Sequence, residues 1–464
     1  MSSAVGVLPA LWPVLTGVAT WLLPPRPARA LAVLTALGLL AMVPVAPGLA
    51  GVHGHDLTLW FLLPSLVLSA TGLLVSLSET RDAPDRGRRY FFLYELFCAA
   101  ILFVVLAPDL LVLWGAVEAT TLASVFLVAC PATPGAVSAA WRYLVVTSVG
   151  GLSALAGIVV VSAGAHVSLA VLTAHPGPRP DLAVVLTGLA FVTVGFGTKA
   201  GLAPMHTWLP DAHGEAPAPV SALLSGIELG VALYGLMRVM RLVAAVAGPL
   251  WPQRMLVVLG ILSLVAAALF AGRQRDMKRL LAYSSIEHLG LMSLGLGLGG
   301  VAAVGALLLV WTHGAGKTLL FYAAGNVKRR YHATAAPSVR GLMRAVPWTA
   351  TALVVGALAI GGMPPFGPFF SEWLIFTGGF HRFGPLPAMA AVGLVAAVVV
   401  GFGRHLPRMV MGEGTKAVER ERLGEVVPLV VMAVVVLVGG VAIPYYLHHL
   451  LFAAARSADL GVVP

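Results

Sequence analysis

The sequence predicts an all-α polytopic membrane protein of about fourteen transmembrane helices, and three observations carry that prediction. Hydrophobic residues make up 59% of the 464 residues and charged residues only 10%. Apolar stretches of about 20 residues, the length one helix needs to cross the hydrocarbon core, recur along the whole chain. The ionisable residues that interrupt these stretches cost roughly 2.5 to 3.5 kcal/mol each at bilayer depth, so several kept together point to ion conduction. Lys199, inside the apolar run from Phe191 to Leu209, and Lys317 are the plainest of them.

Taken in order, the spans are expected near residues 5–23, 29–46, 57–78, 89–107, 109–130, 138–164, 182–209, 217–246, 254–272, 277–299, 301–327, 345–380, 386–411 and 426–452. The first run lacks a basic flank and a small-residue cleavage site before Pro24-Pro25, so it reads as a span rather than a secretion signal. An even number of spans puts both termini on one face. Loops after odd-numbered spans, span ends included, hold twenty of the 29 Lys and Arg residues, Arg26, Arg86 and Lys416 among them. The other face holds Arg179, Arg238, Arg241, Arg254, Arg382 and Arg456. The positive-inside rule then places the odd loops in the cytoplasm and both termini outside a cell inner or plasma membrane. This topology also accounts for the net charge of +10, which does not call for nucleic acid. Cys98 and Cys130 stand singly within spans and read as packing residues, with no paired-cysteine motif for a metal or cluster.

Two spans are interrupted in a similar way. The seventh breaks at Gly201-Leu202-Ala203-Pro204 and the twelfth across Gly361-Gly362-Met363-Pro364-Pro365-Phe366-Gly367-Pro368, where proline removes a backbone donor. Each break lies near a charge, Lys199 or Glu372. Broken helices five spans apart are the trace of an inverted repeat whose discontinuous helices form an ion path. Proline and glycine are common in membrane helices without any repeat, but that does not account for the adjacent charges. The expected organisation is three helices over 1–88, a five-helix unit over 89–246 (spans 4–8), an inverted five-helix unit over 247–411 (spans 9–13), and a C-terminal transmembrane helix over 412–464.

Six further residues join Lys199 as candidates for the path. Glu118, in the fifth span, has no cation on its own helix, so it pairs across helices or is protonated, and Lys199 is the expected partner. A Glu118–Lys199 pair would hold the lysine proton on; moving or neutralising the glutamate would release it, unless the pair is static and only fixes packing. Glu228 follows Ser221 and Ser225 at helical spacing and either relays protons between the halves or hydrogen-bonds a neighbouring helix. Glu287 and His288 point about 100° apart, so one of them faces the axis squarely, and His288, which titrates near neutrality, is the choice. His313 and Lys317 share a helix face at i, i+4, where like charge favours one neutral partner. Glu372, just past the second break, serves either as a terminal carboxylate or as a cap on the half-helix.

The stretch Lys199-Ala200-Gly201-Leu202-Ala203-Pro204-Met205-His206-Thr207-Trp208-Leu209-Pro210-Asp211-Ala212-His213 with Ala216-Pro217-Ala218-Pro219-Val220-Ser221-Ala222-Leu223-Leu224-Ser225-Gly226 resembles the antiporter-like proton-pumping subunits of respiratory complex I and membrane-bound hydrogenases. A second stretch, from Asp276-Met277-Lys278-Arg279 to Ile286-Glu287-His288-Leu289-Gly290, is similar to the same family and most like hydrogenase-4 component F. The resemblance covers nearly the whole chain. It implies fourteen helices, two inverted five-helix repeats and a hydrated mid-membrane axis. It also implies a gating pair at Glu118 and Lys199, axis residues at His288, His313 and Lys317, and a terminal carboxylate at Glu372. One departure stands out: many relatives carry a Lys or His in the eighth span where this chain has Gly230, with Glu228 two residues earlier.

The resemblance further implies a subunit without redox chemistry or cofactor of its own. Its partners would be other membrane subunits of a hydrogenase or complex I-like assembly and soluble redox subunits on the cytoplasmic side, and its cargo protons or sodium. Uptake is expected near Lys317 and His288, with release governed by the Glu118–Lys199 pair or by Glu372. A cation/proton antiporter subunit would use the same fold, and sodium-dependent proton flux would distinguish it. A transport-inactive anchor for a soluble partner would tolerate loss of Lys199. A haem protein needs facing histidine pairs, and His166, His288 and His313 are scattered in sequence.

Overall fold

A computed structural model describes residues 7–50, 56–81, 84–165, 180–335, 338–412 and 419–458, so Arg179, Lys416 and His166 lie outside the described residues. Helices account for nearly all of it. In chain order they are α1 (Leu8–Leu22), α2 (Pro25–Met42), α3 (Ala46–Ala50), α4 (Asp56–Glu79), α5 (Pro84–Leu106), α6 (Leu110–Val128), α7 (Pro134–Ala165), α8 (Leu182–Lys199), α9 (Leu209–Glu215) and α10 (Ala218–Leu223). There follow α11 (Leu229–Ala247), α12 (Leu250–Ala271), α13 (Met277–Leu298), α14 (Gly300–Tyr331), α15 (Leu342–Ala345), α16 (Pro347–Ile360), α17 (Gly367–Phe383), α18 (Pro385–Met411), α19 (Leu423–Val441) and α20 (Tyr445–Ala458). Among the described residues, ten helices are long and apolar enough to cross a membrane, with α1, residues 27–42 and α16 as shorter apolar helices. The protein is therefore an all-α polytopic membrane protein.

Burial sorts the helices into an inside and an outside. The most apolar stretch of α14 is 94% buried and that of α4 83%, whereas those of α18 and α19 are 22% and 17% buried. A long helix that is apolar all round and almost wholly covered is the centre of a bundle, and apolar faces left uncovered suit lipid. α14 accordingly touches α13, α16, α17, α19 and α20. Side-chain caps set the starts of several spans. Asp181 accepts from the Ala183 and Val184 nitrogens ahead of α8, and Asp276 from the Arg279 nitrogen ahead of α13.

Small residues let backbones meet where the charged helices must be held in register. A Cβ at Gly157 of α7 would lie 2.5 Å from the Val192 nitrogen and 2.6 Å from the Gly188 oxygen of α8. One at Gly260 of α12 would lie 2.7 Å from the Gly290 oxygen of α13, and one at Gly305 of α14 would lie 2.6 Å from the Ser371 oxygen of α17. Close backbone approach through small residues is how membrane helices associate without a hydrophobic driving force between them.

Both expected breaks are present and are built alike. α8 stops at Lys199; Gly201 takes φ +70°, its nitrogen bonds the Thr198 oxygen at 3.1 Å, and the Leu202 nitrogen bonds the Gly197 oxygen at 2.9 Å. α16 stops at Ile360; Gly362 takes φ +63°, its nitrogen bonds the Ala359 oxygen at 3.2 Å, and the Met363 nitrogen bonds the Leu358 oxygen at 3.0 Å. This is a Schellman cap with glycine in the left-handed position, followed by proline that cannot resume the helix. The charge precedes the first break at Lys199 and follows the second at Glu372.

The expected single last span over 426–452 is corrected. It is two helices, because α19 ends at Val441, Ala442 leaves helical geometry at φ −151°, and Pro444 supplies no backbone donor before α20 begins. α20 then folds against α4.

The basic loops lie together. Arg329 at the end of α14 bonds Glu79 at the end of α4 at 3.0 Å and Glu425 at 3.5 Å, and Arg330 pairs closely with Glu425 at the start of α19. Asp276 bridges to Ala335, and Asp211 joins Arg142 at 2.5 Å to Arg279 at 2.6 Å. These contacts join loops that follow odd-numbered expected spans, or the helix ends beside those loops.

Candidate functional site

The first charged cluster forms where α8 stops. The Lys199 Nζ donates to Glu228 Oε1 at 2.6 Å, to the Tyr143 hydroxyl at 2.7 Å and to Thr121 Oγ1 at 2.8 Å, which gives each of its three protons an acceptor. Lys199 is 3% exposed and Glu228 1%. Tyr143 is held on the far side by Ser124 at 2.7 Å and stacks on Trp208 with ring centroids 4.6 Å apart. Trp208 in turn donates to the Thr198 oxygen, a carbonyl beside the helix break, at 2.9 Å. The break thus fixes the wall of the site as well as its lysine.

The expected Glu118–Lys199 ion pair is corrected: Lys199 pairs with Glu228. Glu118 lies half-buried on α6, against Gly151 of α7, where it is within electrostatic reach of Lys199. What brings Glu228 to the lysine is a single widened turn, Leu224–Glu228, between α10 and α11. A π turn inserts extra backbone into a helix and re-aims the side chains that follow. Gly230 does not face this cluster; a Cβ there would look toward Phe61 and Val310 at 3.9 Å, so it sits on an apolar face. Of the expected polar stripe, Ser221 donates to the His213 oxygen at 3.1 Å and Ser225 meets Ser285 at 2.7 Å, while Glu228 alone reaches the lysine.

The second cluster lies between α13, α14 and the second break. The Nδ1 atoms of His288 and His313 are 2.9 Å apart. His288 Nε2 lies 3.2 Å from the Ile360 oxygen at the end of α16 and 3.7 Å from Glu372 Oε1. His313 Nε2 lies 3.2 Å from the Ser225 oxygen, inside the widened turn. Lys317 donates to the Leu281 oxygen at 2.6 Å and closely to Ser284, both on α13. Glu287 is buried within electrostatic reach of Lys317 and Glu372. Two histidines scattered in the sequence are therefore neighbours in space, but in direct contact and not spread about a haem iron.

The two clusters share the turn at Ser225–Glu228, since Ser225 meets the second and Glu228 the first. Glycines press that turn onto α14, a Cβ at Gly314 lying 2.7 Å from the Gly226 oxygen. Sequence reasoning missed Tyr143, Thr121 and Ser284, which carry no charge and look like ordinary residues of apolar spans. It also missed Lys278 and His213. Lys278 is fully buried and donates closely to the Ala216 oxygen, and His213 is fully buried against Phe321. Their signal was a lysine and a histidine inside the two long motifs.

The family described as NADH:quinone oxidoreductase/Mrp antiporter, TM, matches residues 107–399. A hydrogenase-4 component F homolog of Methylacidiphilum infernorum is 35% identical over 326 residues, 68% of each chain. The matched stretch covers between 46% and 68% of the length of such curated relatives. A chain of the membrane-bound sulfane sulfur reductase, an archaeal respiratory membrane complex, superposes with a TM-score of 0.87 at 23% identity, covering 99% of this chain and 98% of that one. A chain of respiratory complex I from Thermus thermophilus superposes with a TM-score of 0.83 at 25% identity, covering 98% and 99%. The chain belongs to the NADH:quinone oxidoreductase/Mrp antiporter membrane family.

Proposed function

We propose that this chain is the proton-translocating membrane subunit of a redox-driven assembly of the hydrogenase or NADH–quinone oxidoreductase kind. The observation that carries the reading is the run of buried ionisable side chains between the two helix breaks: Lys199 and Glu228, the shared turn at Ser225, His313 and His288, then Glu372. Burying that many titratable groups is costly, and such groups kept within a membrane mark ion pathways. Lys199 holds its proton while Glu228 faces it. A shift of the ammonium toward Glu118, the second carboxylate within electrostatic reach, would exchange partners and pass the proton on. Lys317 and His213 lead from this axis toward Lys278 and the face where the basic loops gather.

Driving force comes from partners. Soluble redox subunits on the cytoplasmic side and neighbouring membrane subunits would push this line of charges electrostatically, and moving one proton against the membrane potential takes about 2.3 kcal/mol per 100 mV. The similar caps at Gly201 and Gly362 and the glycine seams α7 to α8 and α14 to α17 support fourteen spans organised as inverted repeats, spans 4–8 and 9–13. The gathering of the basic loops supports a cytoplasmic face there and both termini outside.

The test is redox-driven proton translocation in vesicles holding the native complex, wild type against Lys199→Ala, after assembly is confirmed. Translocation is expected to fall at least tenfold while soluble redox activity persists. Unchanged translocation would make the axis structural and the chain an anchor. Because the matching family takes in Mrp antiporters, the same vesicles are assayed for sodium-dependent proton flux, whose appearance would replace the redox-driven reading with antiport.

A further inference from the structure

The contacts of His288 and His313 can be counted in protons. A carbonyl oxygen only accepts, so the contacts of His288 Nε2 with the Ile360 oxygen and of His313 Nε2 with the Ser225 oxygen each need a proton on nitrogen. The third contact, Nδ1 to Nδ1 at 2.9 Å, needs a proton between the two nitrogens. Three contacts require three protons, and two neutral imidazoles bring only two. With both neutral and both carbonyls satisfied, two nitrogen lone pairs would face each other at hydrogen-bond distance with nothing between them.

We propose that His288 and His313 together form one binding site for a single excess proton, held as an Nδ1–H···Nδ1 bridge across an imidazole–imidazolium pair whose Nε2–H groups are anchored on backbone carbonyls. Both carbonyls come from helix irregularities: Ile360 ends α16 at the second break, and Ser225 lies in the widened turn. An unbroken helix engages such oxygens in its own ladder. Of the groups around the pair, the carboxylate of Glu372 is the one placed to favour a delocalised cation. Glu372 on α17 offers Oε1 3.7 Å from His288 Nε2, and that oxygen has no hydrogen-bond partner among the described residues. Glu287 adjoins His288 on α13, while Lys317 on α14 opposes positive charge on both rings and His213 on α9 opposes it on His313.

Discharge then has two exits. If His288 passes its Nε2 proton to the Glu372 carboxylate, that N–H bond breaks, an O–H bond forms, the bridge stays and the Ile360 contact is released. If the His313 Nε2 proton goes instead to the Glu228 carboxylate at the end of the same turn, whose Oε2 has no hydrogen-bond partner among the described residues, that N–H bond breaks, an O–H bond forms and the Ser225 contact is released. The neutral pair keeps the bridge and only one carbonyl anchor, so which anchor it drops decides which half of the axis the pair faces. This use of the site rests on the proposed proton path; the proton count itself does not.

The experiment is solid-state nitrogen NMR on the native complex in lipid, with nitrogen-labelled histidine, at an alkaline pH where exposed imidazoles, with ordinary values of about 6.5, are neutral. One doubly protonated ring and a coupling between the two Nδ1 atoms across the hydrogen bond are expected, both lost in His288→Ala. Only singly protonated rings in the wild type, with no such coupling, would overturn the proposal whether or not the variant folds. Translocation in the same preparation separates the two readings. A bridged pair with unchanged translocation in His288→Ala supports the site and sinks the path. Lost translocation without a wild-type bridge keeps the path and sinks the site.

Discussion

At the scale of single residues, the decisive fact is which carboxylate holds Lys199. Removing one member of a buried ion pair strands the other and costs about 3 to 5 kcal/mol, whereas removing both leaves no orphan charge. Lys199→Met and Glu228→Gln should therefore each lower the thermal stability of the purified chain, and the double variant should regain much of the loss. Residues in one such network couple by about 0.5 to 3 kcal/mol. The Lys199→Met, Glu228→Gln cycle is expected toward the top of that range and the Lys199→Met, Glu118→Gln cycle toward the bottom, since Glu118 lies half-buried against Gly151. A larger coupling to Glu118, measured by thermal unfolding in detergent, would mean that Glu118 is the resting partner. Tyr143 and Thr121 complete the lysine's shell, so their loss should weaken the pair without removing a charge.

At the scale of elements, two glycines in helix interiors should respond in opposite directions. Gly157 lies where α7 and α8 touch backbone to backbone, and a side chain there has to push the Val192 nitrogen and the Gly188 oxygen away. Gly157→Leu should cost at least the 1 to 3 kcal/mol typical of overpacking, about that scale read as a lower melting temperature, and should separate Lys199 from the α7 residue Tyr143. Gly230 has only Phe61 and Val310 nearby, each at 3.9 Å from an added Cβ. Gly230→Ala should be neutral or gain up to about 1 kcal/mol, because alanine fits a helix interior better than glycine. If Gly230→Ala instead abolished translocation with the fold intact, the apolar placement of this face would be wrong. The contrast follows from packing, since both positions read as glycine in an apolar span.

At the scale of the whole molecule, the prediction concerns sidedness. Arg275, exposed in the loop between α12 and α13, and Arg382, exposed at the end of α17, follow the ninth and twelfth expected spans and should face opposite compartments. With Cys98 and Cys130 replaced, Arg275→Cys should react with a membrane-impermeant thiol reagent only in inverted vesicles, and Arg382→Cys only in right-side-out ones. Labelling of both from one side would contradict the alternating topology. The basic face is also where α19 is tied down, through Arg330 and Glu425 and through Glu421, which accepts from the Thr349 nitrogen at 2.7 Å. This polar anchoring matters because α19 is mostly uncovered along its apolar length.

By itself, the sequence determined the membrane class, the two breaks and the family. Each depends on local rules: an apolar run must be helical in lipid, glycine followed by proline must end a helix, and a long motif is read residue by residue. It also marked Lys199, Glu228, His288, His313, Lys317 and Glu372, because charge within an apolar run is visible without coordinates. Only the tertiary structure decided who meets whom. The partner of Lys199 goes with one widened turn, which lies packed on α14 at Gly314 and leaves no pattern in Leu224-Ser225-Gly226-Ile227-Glu228. The meeting of His288 with His313, 25 residues apart, likewise depends on how α13 and α14 pack. The uncharged Tyr143 became part of the site only once α7 was pressed onto α8, and the division of the last span appeared only when the chain turned at Pro444 to reach α4.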